Sequence, residues 1–209
     1  MKPDNPITHA IYSNRGGIEI VHEGDQDDNF IVETVRGGIL WPAVESPGYF
    51  CILGQRPTFN DFKKKPLVLL AEHSTDLPQK LIETITIETR RMMCRDIFCD
   101  FNEHTFQFQE DLDRHIKKFG IVGVNLNGPY LADWINGILS AQQWMSEDAL
   151  ELPRGTVLRD QLSGMKFEDR DPTRRGPFYA VDALRCVLGS FEVPAPRPVT
   201  IKQAGYFYA

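Results

Sequence analysis

The chain has 209 residues, 42% of them hydrophobic and 25% charged, and its 23 Lys and Arg against 29 Asp and Glu leave a net charge of −6. That length and balance suit one globular domain with its own core, and they exclude a protein that coats nucleic acid through bulk positive charge. No apolar run approaches the roughly 20 residues of a membrane-spanning helix. The start MKPDNPITHAIYSNRGG lacks the apolar core of a signal peptide, so a cytoplasmic protein with no membrane partner is expected.

Residues 1–16 are rich in turn formers and read as an arm. Two strand-like runs follow, GIEIVHE (17–23) and NFIVETV (29–35), around the acidic turn GDQDD. GILWPAV (38–44) and GYFCILG (48–54), joined by ESP, suit a hairpin. PLVLLAE (66–72) is a continuous apolar run, the pattern of a strand covered on both faces. Asp76 is placed to cap a helix over 77–93, with Pro78 in its first turn and Leu81, Ile82, Ile85 and Glu88 or Thr89 at helical spacing. DIFCDF (96–101) reads as a strand, and EDLDRHIKKFG (110–120) as a helix ending on a glycine. IVGVNL (121–126) suits a short strand. Residues 130–144 are helical in period, with Gly137 as an internal breaker. Residues 146–177 read as irregular, and a last helix spans 178–190. The X-Pro steps after Phe191 predict an extended tail. This order predicts an α/β class with a mixed β-sheet flanked by helices. The expected divisions are an arm and hairpin over 1–37, the main domain over 38–191 and the tail over 192–209.

Chemistry needing two divalent ions draws three or four carboxylates from different elements, most economically from strand ends and from a helix lying over them. Asp100 ends the run IFCD, Glu72 ends PLVLLAE, and Asp182 lies in the first turns of the last helix. Each has a plainer reading as a cap or salt-bridge partner. Projected at about 100° per residue, the last helix puts Ala180, Val181, Leu184, Val187 and Leu188 on one face. Asp182 and Arg185 fall on the other, which predicts a solvated pair unless that side borders a cleft.

These residues carry a resemblance. The hairpin and third strand, the helix, the strand RDIFCDF and the late helix AVDALRCVL together resemble the ribonuclease H-like fold, and within it the nuclease domain of phage terminase large subunits. The resemblance covers roughly residues 38–191. It implies Asp100 and Asp182 as catalytic residues and ligands of Mg²⁺ or Mn²⁺, with Glu72 as a third catalytic acid. It also implies DNA as substrate and phosphodiester hydrolysis by metal-activated water. Val181 stands where the family commonly has a second acid. In ILWPAVESPGYFCIL, Trp41 stands where the family's first metal-binding Asp would precede Pro-Ala. Either Glu33, Glu45 or Glu72 substitutes, or the domain no longer cuts. The alternative expectation is therefore a non-catalytic structural or protein-interaction module that kept the fold and lost the metal site. No GxxxxGK[ST] phosphate loop occurs, so no packaging ATPase is expected within the chain.

Other signals read less specifically. Cys51, Cys94, Cys99 and Cys186 form no CxxC pair and are expected as buried thiols. His73, His104 and His115 lack zinc spacing, and Glu103 with His104 beside Asp100 suits a surface turn as well as a metal site. Lys166, Arg170, Arg174 and Arg175 suit a phosphate-contacting loop or a self-neutralising one. Tyr206, Phe207 and Tyr208 are apolar enough to dock on a neighbouring surface or a partner subunit, so a homo-oligomer or protein partner is expected there.

Overall fold

A computed structural model describes residues 8–13, 17–22, 29–44, 46–57, 65–100, 105–131, 133–146, 148–171 and 176–191. Strands β1 (Thr8–Tyr12), β2 (Ile18–His22) and β3 (Phe30–Val32) form a small antiparallel sheet. β4 (Thr34–Leu40), β5 (Gly48–Gln55) and β6 (Leu67–Thr75) form an antiparallel meander at the heart of a larger sheet. β7 (Asp96–Cys99) and β8 (Asn125–Asn127) add in parallel beyond β4, and β9 (Leu150–Glu151) adds in parallel beyond β6. The six-stranded order is β8-β7-β4-β5-β6-β9. Every residue of β5 is buried, as a central strand covered on both faces requires.

Helices α1 (Pro78–Arg91) and α2 (Phe106–Lys118) cover one face of this sheet. On the other lie α3 (Trp134–Ser146), α4 (Val157–Gly164) and α5 (Tyr179–Leu188). Two apolar clusters result, one on each side of the sheet. Leu81, Ile82 and Ile85 fill the first with Ile39, Phe50 and Ile97. Leu184, Val187 and Leu188 fill the second with Tyr49, Cys51 and Trp134.

Gly38 explains how closely α5 can lie on the sheet. A Cβ at that position would run into the Ala183 carbonyl and come within 2.9 Å of Val187 Cγ1. The bare strand backbone therefore admits the helix backbone, and α5 is buried all round from Ala180 to Leu188. Gly120, at φ +68°, follows α2 and takes the left-handed C-terminal role its position predicts.

Several expectations need correction. NFIVETV is not one strand, because the chain changes sheets at Glu33: Phe30–Val32 pairs with β2, and Thr34 onward pairs with β5. β4 thus starts ahead of the expected domain start at 38 and ends before Trp41. The arm contributes β1. Asp76 does not cap α1; Leu77 is the cap residue and donates its N–H to Thr75 Oγ1 at 3.2 Å. α2 begins at Phe106 because Gln109, Leu112 and Ile116 share its buried face. The stretch read as irregular holds β9 and α4, which bury little besides Leu158 and Leu162. All four cysteines are buried free thiols, as expected.

Candidate functional site

Asp100 directly follows β7. Because Cys99 pairs with Ile39, Asp100 emerges beside the end of β4, on the face that α5 covers. Its carbonyl accepts hydrogen bonds from Thr105 Oγ1 at 3.0 Å and Gln109 Nε2 at 3.2 Å, which tie the strand end to the start of α2. Asp182 and Arg185 project from α5 towards this corner. They are 4% and 1% exposed, so the expected solvated pair is in fact interior. Helical projection missed this because α3 and the end of β7 cover the polar side of α5, and a single-helix projection contains no information about neighbours.

The Arg185 guanidinium joins the two acids. Its Nε donates to Asp182 Oδ1 at 2.7 Å, its Nη2 donates to Asp100 Oδ2, and its Nη1 donates to the Leu131 carbonyl at 2.7 Å. A planar fork of donors can satisfy oxygens from three elements at once, as an ammonium cannot. Burial pulls the guanidinium towards neutrality, but the surroundings formed by Cys186, Asp182 and Asp100 outweigh it and hold the group above its ordinary value. Gly137 makes room for the arginine stem. A Cβ on Gly137 would lie 2.5, 2.7 and 2.9 Å from Arg185 Cγ, Cδ and Cβ. The residue that reads as a helix breaker is the gap through which Arg185 passes.

Glu72 does not join this group. It pairs in register with Cys51, which pairs with Gly38, which pairs with Phe98. Three strand spacings, roughly 14 Å, thus separate its strand from that of Asp100. The Glu72 carboxylate instead accepts the backbone N–H of Val157 at 2.7 Å and of Leu158 at 3.2 Å, and the Tyr49 hydroxyl donates to it. An anion there satisfies the orphan donors of the first turn of α4, whose cap residue Thr156 offers no side-chain bond.

Trp41 is 3% exposed and packs on Phe108 with ring centroids 5.5 Å apart, among the side chains beneath α1 and α2. Burial pushes the neighbouring Cys99 thiol up to about 12, against the opposing pull of the Trp41 indole. Glu33 forms a surface pair with Lys65 at 3.2 Å, while Glu45 lies outside the described residues. Among the described residues, no group of three His, Cys, Asp or Glu side chains is placed to hold a metal ion. The donor set around Asp100 and Asp182 does not suit a divalent ion, because a fixed cation already lies between them and the position of the first expected acid holds a packed indole.

The remaining candidates fall elsewhere. Glu103, His104, Arg174, Arg175, Tyr206, Phe207 and Tyr208 lie outside the described residues. Lys166 lies on the surface, where its backbone N–H donates to Asp169 Oδ2 at 2.7 Å. His73 Nε2 sits 3.4 Å from Glu88 Oε1, and His115 Nδ1 sits 3.0 Å from Thr86 Oγ1. Among the described residues, no helix is long and apolar enough to cross a membrane.

No known family model matches the sequence, and no curated protein is similar to it. Solved structures do match. The nuclease domain of the large terminase g2p from bacteriophage SPP1, solved with bound Mn, superposes with a TM-score of 0.52 at 14% identity, over 77% of this chain and 88% of that one. A large terminase from a thermophilic bacteriophage, solved in complex with ADP, superposes with a TM-score of 0.54 at 11% identity. That match covers 88% of this chain but 45% of the thermophilic phage protein, so the chain spans less than half of it. The chain therefore has a ribonuclease H-like fold, in the arrangement of the phage large-terminase nuclease domains.

Proposed function

We propose that this is a terminase-nuclease-like domain of phage or prophage origin that does not cut DNA, and that serves as a structural or protein-interaction module. The observation that carries this reading is the Arg185 guanidinium, which ion-pairs with both Asp100 and Asp182. Hydrolysis of a phosphodiester by metal-activated water needs those oxygens directed at a divalent ion, with a further acid completing the set. The Trp41 indole supports the same reading: it is buried beneath α1 and α2, at the position where the resemblance calls for the first metal-binding acid.

A second reading has one observation in its favour. Asp100 and Asp182, 82 positions apart in the chain, converge on a single point. A domain in which the guanidinium moves aside would then be a Mg²⁺- or Mn²⁺-dependent DNA endonuclease with those two acids as ligands. A plasmid-nicking assay with Mn²⁺ separates the two. The proposed module leaves supercoiled DNA intact at every metal concentration. Cleavage by the purified protein that disappears in both Asp100→Ala and Asp182→Ala would replace it with the endonuclease.

A further inference from the structure

We infer that Arg185 is the resident cation of the Asp100–Asp182 pair, and that removing its guanidinium turns the pair, with the Leu131 carbonyl, into a divalent-cation site. This rests on the non-cutting reading but makes a separate claim about what holds the corner together.

The geometry has three parts. First, the oxygens come from the end of β7, from α5 and from the segment before α3, so whatever cation they share pins three elements at one point. Second, the arginine is 1% exposed, too deep for a surface ion pair that water and salt would screen. Third, Gly137 supplies the clearance that the side chain needs to reach all three oxygens. These are hard oxygen donors of the kind that bind Mg²⁺, Mn²⁺ or Ca²⁺. A guanidinium supplies a single positive charge in the same place on a covalently attached group, which neither chelators nor dilution can remove.

Removing the guanidinium takes its positive charge from between the two carboxylates and leaves its volume open. Water enters, and a small hard cation gains what the arginine lost. Arg185→Ala tests this through thermal unfolding of the full chain, with Arg185→Gln as a variant of closer volume. Tm is expected to fall by roughly 6–20 °C in Arg185→Ala. Saturating MnCl₂ restores roughly 5–10 °C of that loss. Adding Asp182→Asn to the variant abolishes the recovery. The wild-type Tm is expected to move with neither MnCl₂ nor EDTA.

A folded Arg185 variant that Mn²⁺ does not stabilise overturns the inference. So does wild-type protein that binds Mn²⁺ and loses it on Asp182→Asn. If neither variant folds, the wild-type titration decides alone: no response to MnCl₂ or EDTA supports the inference, and Asp182-dependent Mn²⁺ binding sinks it. Plasmid nicking tests the non-cutting reading and Tm tests the resident cation, so each can fail without the other.

Discussion

Gly137→Ala should destabilise the protein, although glycine-to-alanine inside a helix ordinarily helps. Alanine in place of glycine gains up to about 1 kcal/mol of helix propensity. Against that, the new methyl would sit 2.5–2.9 Å from three carbons of Arg185, inside van der Waals contact. The α5 backbone has no room to retreat, because it is already seated on β4 at Gly38. The arginine stem must shift, and its fork then cannot reach all three oxygens. Breaking a buried ion pair costs about 3–5 kcal/mol, so the net loss is about 2–4 kcal/mol. For a chain of this size that lowers Tm by roughly 4–16 °C. Circular-dichroism melts of the parent, both single variants and the double variant with Arg185→Ala would measure it. In the Arg185→Ala background only the 2.9 Å contact with Cβ persists, so the penalty of Gly137→Ala should shrink and the two effects should fail to add. A Gly137→Ala protein as stable as the parent, or a penalty unchanged by Arg185→Ala, would refute the packing argument.

Two further outcomes follow from the same structure. Glu72→Gln should cost about 1 kcal/mol and speed amide exchange at Val157 and Leu158, which lose a charged acceptor at the start of α4. Unchanged exchange at those amides would contradict the capping role. Glu88 is buried; burial alone would raise its carboxyl, but hydrogen bonds from His73 and Arg91 hold it below the usual carboxylate range. A depressed folded-state value means that its contribution is complete above the unfolded carboxylate value and fades as pH falls through the folded one. Glu88→Gln should therefore melt below the parent at pH 7, with the gap narrowing as pH falls through the folded-state value. A gap that persisted in acid would point to lost packing instead.

The architecture was legible because its signals are local. Short apolar runs bounded by turn formers mark β4 to β6, Leu81, Ile82 and Ile85 mark the inner face of α1, and IFCD marks a strand end carrying an acid. Asp100 and Asp182, singled out in the sequence, both reach Arg185. What lay between them was not legible, because the arginine on the same helix projects away from its apolar face. Burial of Arg185 depends on α3 crossing that side of α5, a long-range fact with one faint trace in sequence: Gly137 sits inside an otherwise apolar helical stretch. Glu72 misled for a related reason: it closes the apolar run, yet β6 continues to Thr75, and an acid there reads the same whether it awaits a metal or caps a distant helix. Residues that bury little, such as those of α4 and β9, left too weak a period to find.

The wholly enclosed last helix has an evolutionary corollary. A helix without an outward side tolerates a charged residue only together with its counter-charges, so positions 100, 182 and 185 are expected to change only as a set. Placing an acid at 41 would also require refilling the hollow that the indole vacates. Each single substitution in the set is expected to give a less stable protein. The enclosure of α5 thus couples the three positions more tightly than their distance in the chain would suggest.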